Sequence, residues 1–438
     1  MTASFKKDEQ MITSPSQATR IGAMTTPSKN WQQRLHQLDQ QLSATAELWR
    51  PQPFKQQRPA WCQSYPQLTQ ALLDLDDQQL QRFSHNPDAL VEWIGHYLPQ
   101  VAQLDALSRL PKRTPTEYSS PENRFFNGMP GRKRTQIEAF ASHVGSVTSP
   151  ILEWCGGKGH LGRLLGMAGD QPVTTLELNP ELCRAGEQQA QRFGLYQSFT
   201  EVDLLQPGLE LNVTDHHGVA LHACGELHRS LQRRAVTHGM AALDIVPCCY
   251  AFGVEQQYQP RTQGLSLQLS RDDLRLAVTE TVTAGQAEVT SRDREMAWKL
   301  GFVELRNRIV ENQAYRTMKP VQKQWLKLSF SQFCQQLADR EALSLPADTD
   351  WAEVEAFGWQ RFSEVMRLSL LRNCFRRPIE LWLILDLVTD LEAHDYQIEL
   401  GTFCDRAVTP RNIMLSARKR VENRVSSNDV HRAVNSGL

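Results

Sequence analysis

Residues 151–166, ILEWCGGKGHLGRLLG, set three glycines within four residues between a short apolar run and a stretch of spaced leucines. Four apolar-rich residues, bare backbone and then a helical pattern read as strand, turn and helix. Glycine permits the sharp turn and leaves no Cβ between the backbone and a ligand. In an open α/β sheet, ligands bind beyond the carboxyl ends of the strands, where such a turn lies. A glycine loop alone is weak evidence, so the flanking chain has to decide.

Beyond this stretch, short β-branched runs recur: PVTTLEL (172–178), SFTEV (198–202), GVALHA (218–223) and LDIVP (243–247), then YQIEL (396–400) and NIMLSA (412–417). Amphipathic stretches such as NPELCRAGEQQAQRFG separate the first five, and strand–helix–strand at this spacing predicts βαβ units and a parallel sheet. The expectation is an α/β protein with a doubly wound, Rossmann-like sheet. Residues 1–29, polar and rich in Ser and Thr, read as a disordered tail. Residues 30–115 read as a helical region in which Leu90, Trp93, Ile94, Tyr97 and Leu98 share one face. The core spans 116–255, a mostly helical insertion 256–377, the last helix and closing strands 378–418, and a flexible tail 419–438.

Composition bounds the rest. With 438 residues, 40% hydrophobic and a formal charge of −1, no global excess of charge points to nucleic acid or membrane. The first twenty residues lack the apolar core of a secretory signal. The densest apolar run, LWLIL (381–385), stops at Asp386, far short of the roughly 20 residues of a membrane span. Nine cysteines without a framework spacing read as reduced thiols, which sets the expectation of a cytoplasmic protein.

The loop reads E-x-C-x-G-x-G, from Glu153 through Cys155 and Gly157 to Gly159. It fits neither a dinucleotide fingerprint nor a P-loop. It resembles motif I of the class I S-adenosylmethionine methyltransferases, in which an acid precedes the glycines, a second ends strand two and a third follows strand three. Glu153, Glu177 and Asp203 are the counterparts, and Glu177 lies 18 residues after Gly159. A carboxylate there can accept both ribose hydroxyls through charge-assisted hydrogen bonds. Cys155 stands where that family usually has its first glycine, a replacement that requires negative φ.

Five further strings occur in order: GMPGRKRTQIEAF, GGKGHLG, LHACGEL, PCCYAF and TPRNIMLSARK. Together they resemble the methyltransferase domain family that includes methyltransferase-like protein 25 and, more distantly, the eukaryotic tRNA 2′-O-methyltransferase of the acceptor stem. The resemblance implies S-adenosylmethionine as cofactor. It implies contacts from Glu153, Cys155, Gly156, Gly157, Lys158, Gly159, Glu177, Asn179, Asp203, Leu204, Cys224 and Gly225.

Methyl transfer from a sulfonium is an in-line displacement, so positioning and charge stabilisation dominate and an unactivated acceptor needs a nearby base. His222 and Tyr250 are the candidate catalytic residues. Cys224, Cys248 and Cys249 offer no C-x₂₋₄-C spacing, and adjacent residues of a strand point opposite ways, so the expectation is packing residues and no metal. Residues 291–327 hold nine Lys and Arg against four Asp and Glu, with Trp298, Phe302, Tyr315 and Trp325 interleaved. With Arg132, Lys133 and Arg134 they suit a phosphate backbone and stacked bases, so the expected acceptor is macromolecular, RNA such as tRNA or rRNA. A protein acceptor, or a cofactor-binding scaffold without turnover, is the alternative.

Overall fold

The computed structural model describes residues 30–279, 285–310 and 316–420. The tail expected at 1–29, nearly all of the one expected at 419–438, and Tyr315 lie outside the described residues. Seven strands form one sheet: β1 (Ile151–Trp154), β2 (Val173–Glu177), β3 (Gln197–Glu201), β4 (His217–Cys224), β5 (Ala242–Cys248), β6 (Tyr396–Thr402) and β7 (Ile413–Lys419). Their order is β3-β2-β1-β4-β5-β7-β6. The first five are parallel, while β7 runs antiparallel to both β5 and β6. The order 3-2-1-4-5 is that of a doubly wound sheet, with the switch point between β1 and β4, as the sequence predicts.

Alternation along each strand feeds two layers of helices. Ile151, Val173, Val219, Val246 and Met414 pack with Phe140 of the helix Gly131–Val144 and Leu164 of the helix His160–Gly169. Leu152, Leu243, Ile245 and Leu415 belong to the opposite core, with Leu231 of the helix Glu226–His238 and Trp382 of the helix Arg376–Ala393. Every residue of β5 is buried, the mark of a strand covered on both faces.

The N-terminal helices extend the second layer. Asp39, buried in the helix Trp31–Ala44, accepts from Ser266 N, Ser266 Oγ, Leu267 N and Trp382 Nε1 at 2.7–3.1 Å. One carboxylate thereby fastens the N-terminal region to both the insertion and the helix over the sheet. The chain then pairs at Lys112 with Thr402 on the outer strand β6 before crossing to the other face. Within the insertion, Trp298, Phe302, Trp325, Phe330, Phe333 and Val354 build a separate apolar core. No described helix is long and apolar enough to cross a membrane.

Candidate active site

The glycine loop follows β1 at the carboxyl edge of the sheet. A Cβ on Gly159 would lie 2.2 Å from the Gln197 amide, and one on Gly156 would lie 2.5 Å from Thr175 Cγ2, so both glycines let the loop sit down on β2 and β3. Gly157 differs: at φ +62° a Cβ would meet nothing within 4 Å. Its backbone therefore borders open space, the cradle a ligand needs. Lys158 turns its side chain to solvent, and its carbonyl accepts from Arg163 at 2.8 Å. Cys155 has φ +56°, which corrects the expectation of negative φ. The loop keeps the left-handed turn although a side chain is present, a strain of about 1–3 kcal/mol that its surroundings must hold.

The three acids separate into two roles. Glu177, the last residue of β2, accepts from Gly157 N through Oε2 and from Asn179 N through Oε1, each at 3.0 Å. It ties the ends of β1 and β2 together while remaining half-exposed. Asp203, beyond β3, is exposed and accepts from Leu205 N at 2.9 Å. Glu153 is not at the surface: it accepts from Thr175 Oγ1 at 2.8 Å, lies 3% exposed, and its carboxyl is pushed up by burial. Its assignment as a cofactor contact is corrected to a buried support of the loop, reached by Thr175 and the Gly162 amide.

Three other residues expected at the cofactor have structural tasks of their own. Asn179 spends its side-chain oxygen capping the helix Pro180–Arg192, accepting from Glu181 N and Leu182 N. Leu204 is buried in the apolar core. Gly225, at φ +47°, is needed because a Cβ would come within 2.1 Å of the Phe252 carbonyl, a chain crossing that calls for no ligand.

At the ends of β4 and β5 the backbone is irregular. A register shift between Leu221 and Cys224 carries His222 to φ +63°, the kind of bulge that re-aims side chains beside active sites. His222 Nδ1 is buried and has no hydrogen-bond partner among the described residues. Burial pushes the imidazole down to about 4, with Arg411 and Arg132 acting in the same direction, so it is neutral at pH 7. A neutral imidazole at the sheet edge can accept a hydrogen bond from an acceptor group. Tyr250 does not join it: the phenol is 3% exposed, donates to Glu380 Oε1 at 3.3 Å, and has its ring against His228. Its catalytic assignment is corrected to that of a core residue.

The cysteines also depart from expectation. Cys224 and Cys248 are register partners with sulfurs 3.5 Å apart, and Cys249, at φ +47°, leaves the strand geometry. The three sulfurs lie within 4.8 Å of one another. Adjacent residues diverge only on a regular strand; the left-handed turn at Cys249 removes that rule. The Cys249 thiol is held well below its ordinary value by hydrogen bonds from Cys224 and Cys248, with Arg411 adding to the effect.

The aromatic part of the RNA expectation is corrected. Trp298, Phe302 and Trp325 are buried in the insertion core, where no base can stack on them. The neighbouring cations are engaged: Lys299 with Glu295, Arg306 with Glu341, Arg308 with Glu304 and Glu353. Arg134 pairs with Glu138 and covers the Phe126 ring. Arg132 and Lys133 remain exposed, and Arg132 donates to the Val408 carbonyl at 2.9 Å.

Two features escaped sequence reading. Arg411 stands near His222 and Cys249, and its only signal was the string TPRN, to which no chemistry attached. A cavity of about 650 Å³ opens where Glu226, Arg229 and Arg233 of the helix after β4 face residues 253–261. Its polar lining is spaced at i, i+3 and i+7 on one helix, which reads from sequence as a solvated face.

Residues 132–255 match the family model described as a methyltransferase domain. The matched residues hold β1 to β5 and the glycine loop, so this part of the chain is similar to a methyltransferase domain. No curated protein sequence matches the chain. Solved structures similar to it include the Pyrococcus abyssi tRNA (uracil-54, C5)-methyltransferase in complex with S-adenosyl-L-homocysteine, at 15% identity, 30% of each chain covered and a TM-score of 0.22. Also similar is the magnesium protoporphyrin IX methyltransferase of Synechocystis with bound SAM, at 14% identity over 29% of this chain and 64% of that one, TM-score 0.22. With bound SAH the same enzyme gives 11% identity over 69% and 90%, TM-score 0.28. The chain thus spans less than two thirds of the length of the first two structures.

Proposed function

We propose that this protein transfers a methyl group from S-adenosylmethionine to RNA. One observation carries the cofactor assignment: Glu177 stands at the end of β2 with its carboxylate on the Gly157 amide, beside the open space over that glycine. Each carboxylate oxygen has a lone pair left after its backbone bond, enough to accept the ribose hydroxyls. Gly157 gives the cofactor backbone to lie on, and Asp203 offers a second exposed carboxylate after β3. The bound cofactor supplies an electrophilic methyl group on its sulfonium. His222, neutral and with Nδ1 unpartnered among the described residues, would take the acceptor's proton or orient its lone pair.

The acceptor assignment rests on charge. Arg411 and Arg132 act electrostatically on His222, and Arg132 and its sequence neighbour Lys133 are exposed, which favours an acceptor carrying phosphates. The test is incubation with tritiated S-adenosylmethionine and total extract of a strain lacking the protein. Label removed by ribonuclease supports the reading. Label that survives ribonuclease and disappears with protease replaces it with a protein acceptor, and no label at all leaves a binding module.

A further inference from the structure

We propose that Cys224, Cys248 and Cys249 form a metal site that binds one zinc ion through three thiolates, with the fourth position open at the exposed side of Cys249. The geometry of the three sulfurs stands independently of the transfer reaction. Tetrahedral zinc with sulfur ligands at about 2.3 Å requires sulfur–sulfur separations of about 3.8 Å. The Cys224 and Cys248 sulfurs stand 3.5 Å apart, and all three lie within 4.8 Å of one another. Small side-chain rotations therefore close the set around an ion, with no movement of the strands.

Backbone irregularities on both strands produce this convergence. The register shift in β4 brings Cys224 level with Cys248, and the left-handed turn at Cys249 returns a third sulfur to the same point. Strain at such residues persists only where the surroundings enforce it, and such residues cluster at functional sites. All three cysteines are free thiols. Packing alone explains Cys248, which is buried, but gives no reason for the exposed Cys249 to turn towards its neighbours.

Soft thiolates select zinc over magnesium or calcium. On binding, the thiols still protonated release their protons to solvent and each sulfur donates a lone pair to the ion. Three thiolates with one divalent ion leave a net charge of −1, which Arg411, near Cys249, balances. The exposure of Cys249 leaves room for water or an exchangeable ligand in the fourth position, the arrangement that distinguishes reactive zinc sites from closed structural ones.

The test uses the full chain, reduced and treated with chelator, then titrated with Zn2+ and separately with Co2+ as a spectroscopic substitute. One equivalent of zinc should remain bound after gel filtration, and cobalt should give a thiolate-to-metal charge-transfer band. Both should be lost in C249S, whose side chain is exposed so that the fold survives, and retained in C404S. A folded, reduced wild type that retains no zinc, or a C249S protein that binds it equally well, overturns the proposal. So does recovery of the cluster solely as a Cys224–Cys248 disulfide that no reductant converts into a zinc-binding form. Titration with S-adenosylmethionine on the same samples separates the two claims: zinc without cofactor binding upholds the metal site and counts only against the transfer reading.

Discussion

The Glu177 carboxylate and the Gly157 amide stand 3.0 Å apart, joining the end of β2 to the loop after β1. The loop's glycines therefore differ in what a side chain would cost. Gly159→Ala has to displace Gln197 and Phe199 and should destabilise by about 2–3 kcal/mol. Gly157→Ala adds a methyl group to open space and should cost only the left-handed backbone term, about 1 kcal/mol. Urea denaturation midpoints of the two variants measure the difference, and equal losses would contradict the loop's described packing.

Two buried histidines set an acid limit on the fold. Burial pushes His160 down to about 3 and His228 down to about 4. A base with a depressed folded value binds its proton more readily unfolded, so its contribution is complete above the unfolded value of roughly 6.5 and is lost as pH falls towards the folded one. Melting temperature should be level near pH 7 to 8 and decline between about pH 6.5 and 4. His228→Gln should flatten that decline, and an unchanged slope would place the acid sensitivity elsewhere.

Asp39 is the clearest tie between the N-terminal helices and the rest of the chain. Asp39→Ala leaves the Ser266 and Leu267 amides and the Trp382 indole without their acceptor. Each unsatisfied buried donor costs roughly 1–3 kcal/mol. Thermal unfolding should shift markedly downward, and limited proteolysis should release residues near 265 first. A wild-type melting temperature would show that water replaces the carboxylate at no cost.

If RNA is the acceptor, Arg132 and Lys133 set its salt dependence. Each phosphate contact to a single strand contributes a slope of about 0.7 in log affinity against log salt. The double variant R132Q/K133Q should bind total tRNA more weakly and with a slope shallower by about one to two in a salt series. A slope unaffected by the substitutions would remove these residues from the interface.

The sheet was legible because its evidence is local: each strand is a short β-branched run, and the glycines after β1 mark the switch point. Glu177 was legible for the same reason, since the carboxyl end of a strand is fixed once the strand is found. Glu153 and Tyr250 were misplaced because burial depends on what packs over a strand end, here Thr175 and Glu380, which lie far from them in sequence. The meeting of Cys249 with Cys224 depends on two left-handed residues, His222 and Cys249, neither of them glycine. Nothing in a one-dimensional pattern signals such a turn. The basic insertion misled for the opposite reason: its aromatics repeat at helical spacing, which a buried helix face and a stacking surface share.

If the space over Gly157 and the Glu177 carboxylate hold S-adenosylmethionine, calorimetric titration of the purified chain detects it. The wild type should bind one equivalent. Glu177→Ala should weaken binding by about 3 kcal/mol, on the order of a hundredfold, through loss of hydrogen bonds to a charged acceptor. Gly157→Arg, whose side chain enters open space and so spares the fold, should abolish it. Binding of equal affinity in the wild type and both folded variants, or no binding in the wild type, would rule out this cofactor site.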